Sequence, residues 1–234
     1  MTYLRFALLG TVLGGSVTGC GLISSDVTNF DLTLPDKSFS VDASGWQVDQ
    51  QAADQFLGMS CLSSPMICMS AATTACPMNC TGECGSQNKC VLNLDVGVYQ
   101  SIDLVMEKPE LKSINDEPII KVTIDSVMYR VPQNTLNVDT PQMNVYVAPM
   151  SVMDPDDPMA KLVGTIPPVA AGATVAMAEL AFTADGKQRL VDTMSTYKNP
   201  FNIIVGSTLR IEDGDMVPTG RLDAIVQIKA HAGL

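Results

Sequence analysis

The stretch Val91-Leu92-Asn93-Leu94-Asp95-Val96-Gly97-Val98 decides how this chain is read. From Leu92 onward, apolar residues alternate with polar or small ones. A period of two puts successive side chains on opposite faces, which is the pattern of a half-buried strand. Ile102 to Met106 prolongs the apolar pattern, and nothing in the stretch repeats with the helical period.

Downstream, the same reading picks out further strands at 119–131, 143–148, 161–166, 175–182, 201–211 and 222–230. Turn signals separate them: Asn115-Asp116, Pro132-Gln133-Asn134, Asp154 to Pro158, Pro167-Pro168 and Glu212-Asp213-Gly214-Asp215. Upstream, Phe30, Leu32 and Leu34 alternate with polar residues, and Phe39 and Val41 do so after a Pro35-Asp36 turn. Many short strands at this spacing predict an all-β fold, an antiparallel β-sandwich spanning residues 27–234. One helix interrupts the pattern. Thr183 is placed to cap a run over 184–198, with Leu190, Val191, Met194 and Tyr197 on one face and Asn199-Pro200 ending it. Such a helix would plug an open end of the sandwich or cover a strand edge.

A different composition holds over residues 57–90, where Ser, Thr, Ala, Gly and Met dominate. Residues 53–60 could start a short helix leading into it. Cys61, Cys68, Cys76, Cys80, Cys84 and Cys90 all fall here. With few large apolar side chains the segment needs cross-links to hold it, and six thiols can close three disulfides in an oxidising compartment. The expectation is a disulfide-rich insertion within the sandwich. The competing reading is a soft-metal site, with Met66 and Met69 bracketing Cys68, for Cu(I) or zinc. It lacks paired C-x2-C knuckles and a nearby His, so no metal is assigned.

The seventh Cys explains itself at the N-terminus. Arg5 is followed by an apolar run from Phe6 to Leu13 and small residues from Gly14 to Gly19, the make-up of a secretory signal. The run is shorter than the roughly 20 residues needed to cross a bilayer. Val17-Thr18-Gly19-Cys20 then resembles the lipobox of bacterial lipoproteins. That resemblance implies removal of residues 1–19, a diacylglyceryl thioether on Cys20 and a further acyl chain on the new amine. Two or three chains give stable attachment where one gives marginal binding. Residues 20–26 would be a lipidated tether. Gly21, where an Asp would retain the protein at the inner membrane, favours the outer membrane.

Across 234 residues there are 14 basic and 25 acidic side chains, a formal charge of −11. Loss of Arg5 with the signal segment makes it −12. Such a surface argues against nucleic acid and against anionic lipid headgroups, both of which need clustered Lys and Arg. The membrane is reached through the lipid alone.

Catalytic chemistry finds little purchase. His231 is the sole histidine and sits where chains usually fray. Asp154, Asp156 and Asp157, and Glu212, Asp213 and Asp215, could face calcium, but neither cluster follows the EF-hand spacing. Solvated turns account for both. Nucleophile elbows, phosphate loops and dinucleotide fingerprints are absent from the sequence. Of the 14 Met residues, Met128, Met143 and Met177 fall in expected strands, where core filling is expected of them.

From residue 119 onward, the order of several strands, then a helix, then a final strand pair resembles the sandwich domain of late-embryogenesis-abundant-like proteins. The resemblance implies a sandwich and transfers no functional residue. Together these readings predict a non-enzymatic envelope lipoprotein without cofactor, binding an unknown protein or glycan partner. The alternative is a carrier of a hydrophobic ligand such as lipid. Thiol titration of the unreduced protein under denaturant should find none of the six insertion cysteines free; six free thiols would restore the metal reading.

Overall fold

A computed structural model of the chain describes residues 29–114 and 120–233. The signal segment 1–19, Cys20 and the tether 20–26 lie outside them, as does the Asn115-Asp116 turn.

The deciding stretch forms the first part of strand β4 (Cys90–Ile102). Leu92 and Leu94 are buried while Asp95 is exposed, as the alternation requires. β4 pairs antiparallel with β10 (Phe201–Ile211), from Ile102 opposite Phe201 to Leu92 opposite Ile211. Beyond β10 lie β6 (Met143–Pro149), β7 (Lys161–Ile166) and β9 (Ala181–Phe182), and β3 (Cys80–Cys84) pairs with the start of β4. The second sheet is built around β11 (Arg221–Gly233). On one side of it runs β5 (Lys121–Asn134), and on the other run β1 (Asn29–Asp31) and β2 (Lys37–Asp42). β8 (Val175–Glu179) pairs with β5 at the far edge. Side chains from both sheets enter one core, including Leu32, Leu94, Ile124, Val145, Ile203 and Ile228. The fold is the antiparallel β-sandwich that the alternation predicted.

Several local expectations need correction. Pro35-Asp36 does not reverse the chain. Leu32 and Leu34 donate to the carbonyls of Ala230 and Ile228, each at 2.9 Å, so β1 and β2 follow the same edge of β11 with a one-residue offset. A proline without an N–H is tolerated at such an edge. Pro132-Gln133-Asn134 is likewise part of β5 and not a turn; it sits beside a register shift opposite Asp223–Ile225. The segment 175–182 is two strands. Leu180, buried and donating to the Val127 carbonyl at 2.8 Å, marks where the chain passes from β8 in one sheet to β9 in the other.

The expected helix over 184–198 is shorter, Gly186–Ser195, here α4. Asp185, not Thr183, precedes it, and the Thr183 hydroxyl donates to the Val163 carbonyl at 3.3 Å. The backbone is pressed so close to β7 that a Cβ on Gly186 would lie 1.7 Å from that carbonyl oxygen. Leu190 and Met194 are buried, as the one-faced pattern required, and Tyr197 is buried just past the helix end. α4 packs against β5 of one sheet and β7 of the other. The last two strands do follow this helix, but β10 and β11 belong to different sheets and do not pair with each other.

The insertion carries more regular structure than its composition suggested. Beside α1 (Gln50–Leu57), capped by Asp49 accepting from the Ala52 N–H at 2.7 Å, a second helix, α2 (Met66–Ala75), lies within the cysteine window. Three disulfides tie the window together: Cys61–Cys84, Cys68–Cys90 and Cys76–Cys80. They close loops with sequence separations of 23, 22 and 4. Such loops contribute roughly 2–4 kcal/mol each by restricting the unfolded chain, the shortest contributing least. The small residues have a packing role. A Cβ on Gly82 of β3 would stand 2.2 Å from the Cys68 carbonyl oxygen and 2.9 Å from the Ala72 Cβ. Only glycine allows α2 to approach this strand. β3 in turn extends the six-stranded sheet, so the insertion is continuous with the sandwich.

Two buried asparagines organise the loops. Asn202 donates to the carbonyls of Met150 (3.1 Å) and Val152 (2.7 Å) and accepts from the Ser101 hydroxyl at 2.7 Å. Asn134 donates to Ala170 and Ala173 carbonyls and accepts from the Leu136 N–H, each at 3.0 Å. Near the opposite end, Lys37 of β2 pairs with Glu107 of the short helix α3 (Leu104–Glu107) at 2.5 Å. Their side chains are only 14% and 16% exposed, and the second Glu107 oxygen is buried without a protein partner. Lys37→Met should therefore lower stability by about 3 kcal/mol by stranding the carboxylate. Adding Glu107→Leu should recover most of that loss in urea melts; equal midpoints for the single and double variants would contradict it.

Candidate functional site

The outer face of the six-stranded sheet is shaped by two glycines. Gly97 of β4 and Gly206 of β10 face each other in register, and Gly206 also faces Asn144 of β6. The β6–β7 connection folds back over this spot. Pro155 rests on both glycines: a Cβ on Gly97 would lie 3.2 Å from its Cδ, and one on Gly206 would lie 2.5 Å from its Cβ. Val152 of the same loop packs with Ile204 and Ala148, a small apolar cluster separate from the main core.

Beside this loop lies a groove of about 830 Å³. Its floor is Asp95, Gly97 and Tyr99 of β4 with Gly206 and Thr208 of β10 and Asn144 and Tyr146 of β6. Met153 to Asp156 form one wall. Ser40 to Asp42, Gly45, Trp46 and Asn79 form another. Three adjacent strands and four residues of strand length make a floor of about 10 Å by 13 Å.

Each wall is held by identifiable bonds. Trp46 ends a 3-10 turn (Ala43–Trp46) that follows β2, and its indole N–H donates to the Asp95 carbonyl at 3.0 Å. The ring is buried, 6% exposed, so it pins the turn against β4. Asp42 begins the turn by accepting from the Ser44 hydroxyl at 2.6 Å and its N–H at 2.9 Å. Across the groove, Asp154 accepts from the Asp156 N–H at 2.9 Å and Asp157 from the Met159 N–H at 2.7 Å. Thr208 donates to Asp95 at 3.2 Å across the floor.

The groove is acidic and aromatic together. Asp42, Asp95, Asp154 and Asp156 line it, and among the described residues none of those lining it is Lys or Arg. Tyr99 is 40% exposed. It shares a row with Tyr146, the two separated by Ile204 on β10.

The residues marked in the sequence are dispersed. All six insertion cysteines are in disulfides and none offers a thiolate to a metal. The Glu212–Asp215 turn is occupied by ion pairs: Arg210 Nε to Glu212 at 2.8 Å, and Lys89 to Asp213. Among the described residues no three His, Cys, Asp or Glu side chains group as a metal would need. His231 is not on a frayed end. It lies in β11 and its Nδ1 is 3.0 Å from Asp125, on an exposed strand surface away from the groove. Methionine was expected to fill the core; Met143 does, but Met177 is 52% exposed. Met66 and Met69 also stand in solvent, at 64% and 60%.

Tyr99, Tyr146, Asn144 and Gln142 carried no signal in the sequence. Gly97 could have drawn attention, because a glycine on the outer side of an alternating strand marks close approach by another segment. Between the sheets, the apolar space near Leu136, Val138 and Leu222 holds only about 30 Å³. Pockets that take small ligands run to roughly 300–1,000 Å³. The packing thus favours a surface site over an interior one.

The Ser44 hydroxyl and then its N–H hold the Asp42 carboxyl below its ordinary pKa. A carboxyl lowered in the folded state stabilises the fold fully above its unfolded pKa, and that contribution fades as pH falls through the folded value. Asp42→Ala should accordingly lower the melting temperature at neutral pH, with the gap from the wild type closing from about pH 4 downward. A gap that persists unchanged into acid would contradict this role for the carboxylate.

No protein-family model and no curated protein matches the chain. Among solved structures, a chain of "Israeli acute paralysis virus heated to 63 degree - full particle" is similar over 100% of this chain and 85% of its own, at 8% identity and a TM-score of 0.27. A likeness at that level carries no argument about fold or function.

Proposed function

We propose that this chain is a lipid-anchored protein of the bacterial cell envelope, with outer membrane favoured, and that it serves a non-enzymatic structural or adhesive role toward a protein or glycan partner. The observation that carries the reading is polarity along the sandwich. β1, the first described strand, pairs with the last residues of β11, and Asp31 approaches Lys108 at 3.8 Å beyond the far end of β4. Moving up the molecule, Gln100 meets Ser38 and Asp95 meets Trp46. The cysteine-stapled helices reach the start of β4, where the Cys90 N–H donates to the Met59 carbonyl. Twelve residue steps along β4 separate the two poles by roughly 40 Å.

A chain anchored through Cys20 would thus be held at one pole and would present the stapled pole away from the lipid. Disulfides support an oxidising compartment, and covalent stapling pre-orders a surface so that less entropy is lost on binding.

Fractionation of producing cells tests the anchor. The wild type should partition into membranes and carry acyl chains at Cys20 by intact mass. Cys20→Ala should leave the protein soluble and at least tenfold depleted from the membrane fraction, an effect on the order expected for losing two or more acyl chains. Equal membrane association of the two would overturn the anchor.

A further inference from the structure

We infer that the groove beside Pro155 is a binding site for an uncharged oligosaccharide, an inference that rests on the proposed binding role and names its ligand. Sugars present two chemistries at once, apolar C–H faces and hydroxyls that both donate and accept. A receptor needs ring platforms beside mixed polar groups in a concave site. The chain has 12 aromatic residues, and three of them, Trp46, Tyr99 and Tyr146, converge on this groove. Tyr99 is the exposed platform, in a strand position whose neighbours on the same face are Gly97 and Ser101.

The polar complement decides between ligands. Gln142 donates to the Asn144 amide oxygen at 3.4 Å, which leaves the Asn144 amide N–H groups to donate and the Gln142 amide oxygen to accept. Thr208, donating to Asp95, still offers its oxygen as an acceptor. A cationic peptide would use only acceptors and would leave the Asn144 amide N–H groups idle. An anionic glycan would meet four carboxylates with no lysine or arginine among the described lining residues. A neutral glycan satisfies both sides. The concavity of about 830 Å³ is within the size range of sites for small ligands. Gly97 and Gly206 carry no side chains, so Pro155 seats directly on them and fixes the wall of the groove.

The test uses the full chain purified in a polyoxyethylene detergent, which has no sugar headgroup to compete. It is applied to an array of neutral oligosaccharides, their sialylated counterparts and an oligolysine peptide. At least one neutral series should be retained, with sialylation weakening it. Tyr99→Ala and Asn144→Ala should each weaken that binding about tenfold with an unchanged melting temperature, while Tyr99→Phe, which keeps the platform, should bind within about threefold of wild type. Retention of no neutral series would overturn the inference. So would binding indifferent to Tyr99→Ala and Asn144→Ala, or preference for oligolysine. None of these failures bears on the anchor, which is read from membrane partition and intact mass.

Discussion

The ladder between β4 and β10 is the constraint on which the molecule depends. Because side chains alternate faces at every residue, a slip of one position would turn Leu92 and Leu94 outward and Asp95 inward. The register that buries those leucines is the same one that sets Gly97 opposite Gly206 and puts Tyr99 in a row with Tyr146. Core and groove are therefore two faces of a single pairing. The loop that carries Pro155 can settle only where two glycines coincide, and that coincidence is a consequence of burying the opposite face.

Cross-linking extends this control to the other end of the strand. Cys90 opens β4 and is bonded to Cys68 in the first turn of α2. The helix buries only Cys68, Ala72 and Ala75 while its large apolar residues stand in solvent, so it is tied to β4 covalently, and Gly82 lets it approach within contact of β3. Hydrophobic burial holds the sandwich, while covalent closure and small-residue contact hold the stapled pole. The two regions answer to different agents: denaturant acts on the first, and reductant on the second.

Strands were legible wherever one face is buried and the other is wet, since alternation then appears directly in residue type. Lys161–Ile166 and Phe201–Ile211 match their expected limits for that reason. The prolines misled. At Pro35 and Pro132 the missing N–H suggests a turn, yet an edge and a register shift each accommodate it without reversing the chain. The pass from β8 to β9 was hidden because a strand that changes sheets keeps its local pattern. α2 was missed because its contacts are made by Cys, Ala and Gly, residues that show no strong apolar stripe. Pairing of the cysteines could not be deduced, because six allow fifteen connectivities. The groove was illegible for a related reason: its floor draws residues from β4, β6 and β10, and nothing local records which strands become neighbours.

The place of β11 governs when the fold can form. It is the last strand in chain order, yet β1 and β2 pair only with it, and β5 meets it along nearly its whole length. A chain emerging N-terminus first would hold those early strands without their partner until β11 arrives. The stapled helices, whose bonds span 23 residues or fewer, can close long before that. Assembly would then have two stages, a local one set by oxidation and a late one set by long-range pairing, which is intrinsically slow. Were the chain exported unfolded, as the proposed anchor requires, such a delay would act as a safeguard against premature collapse.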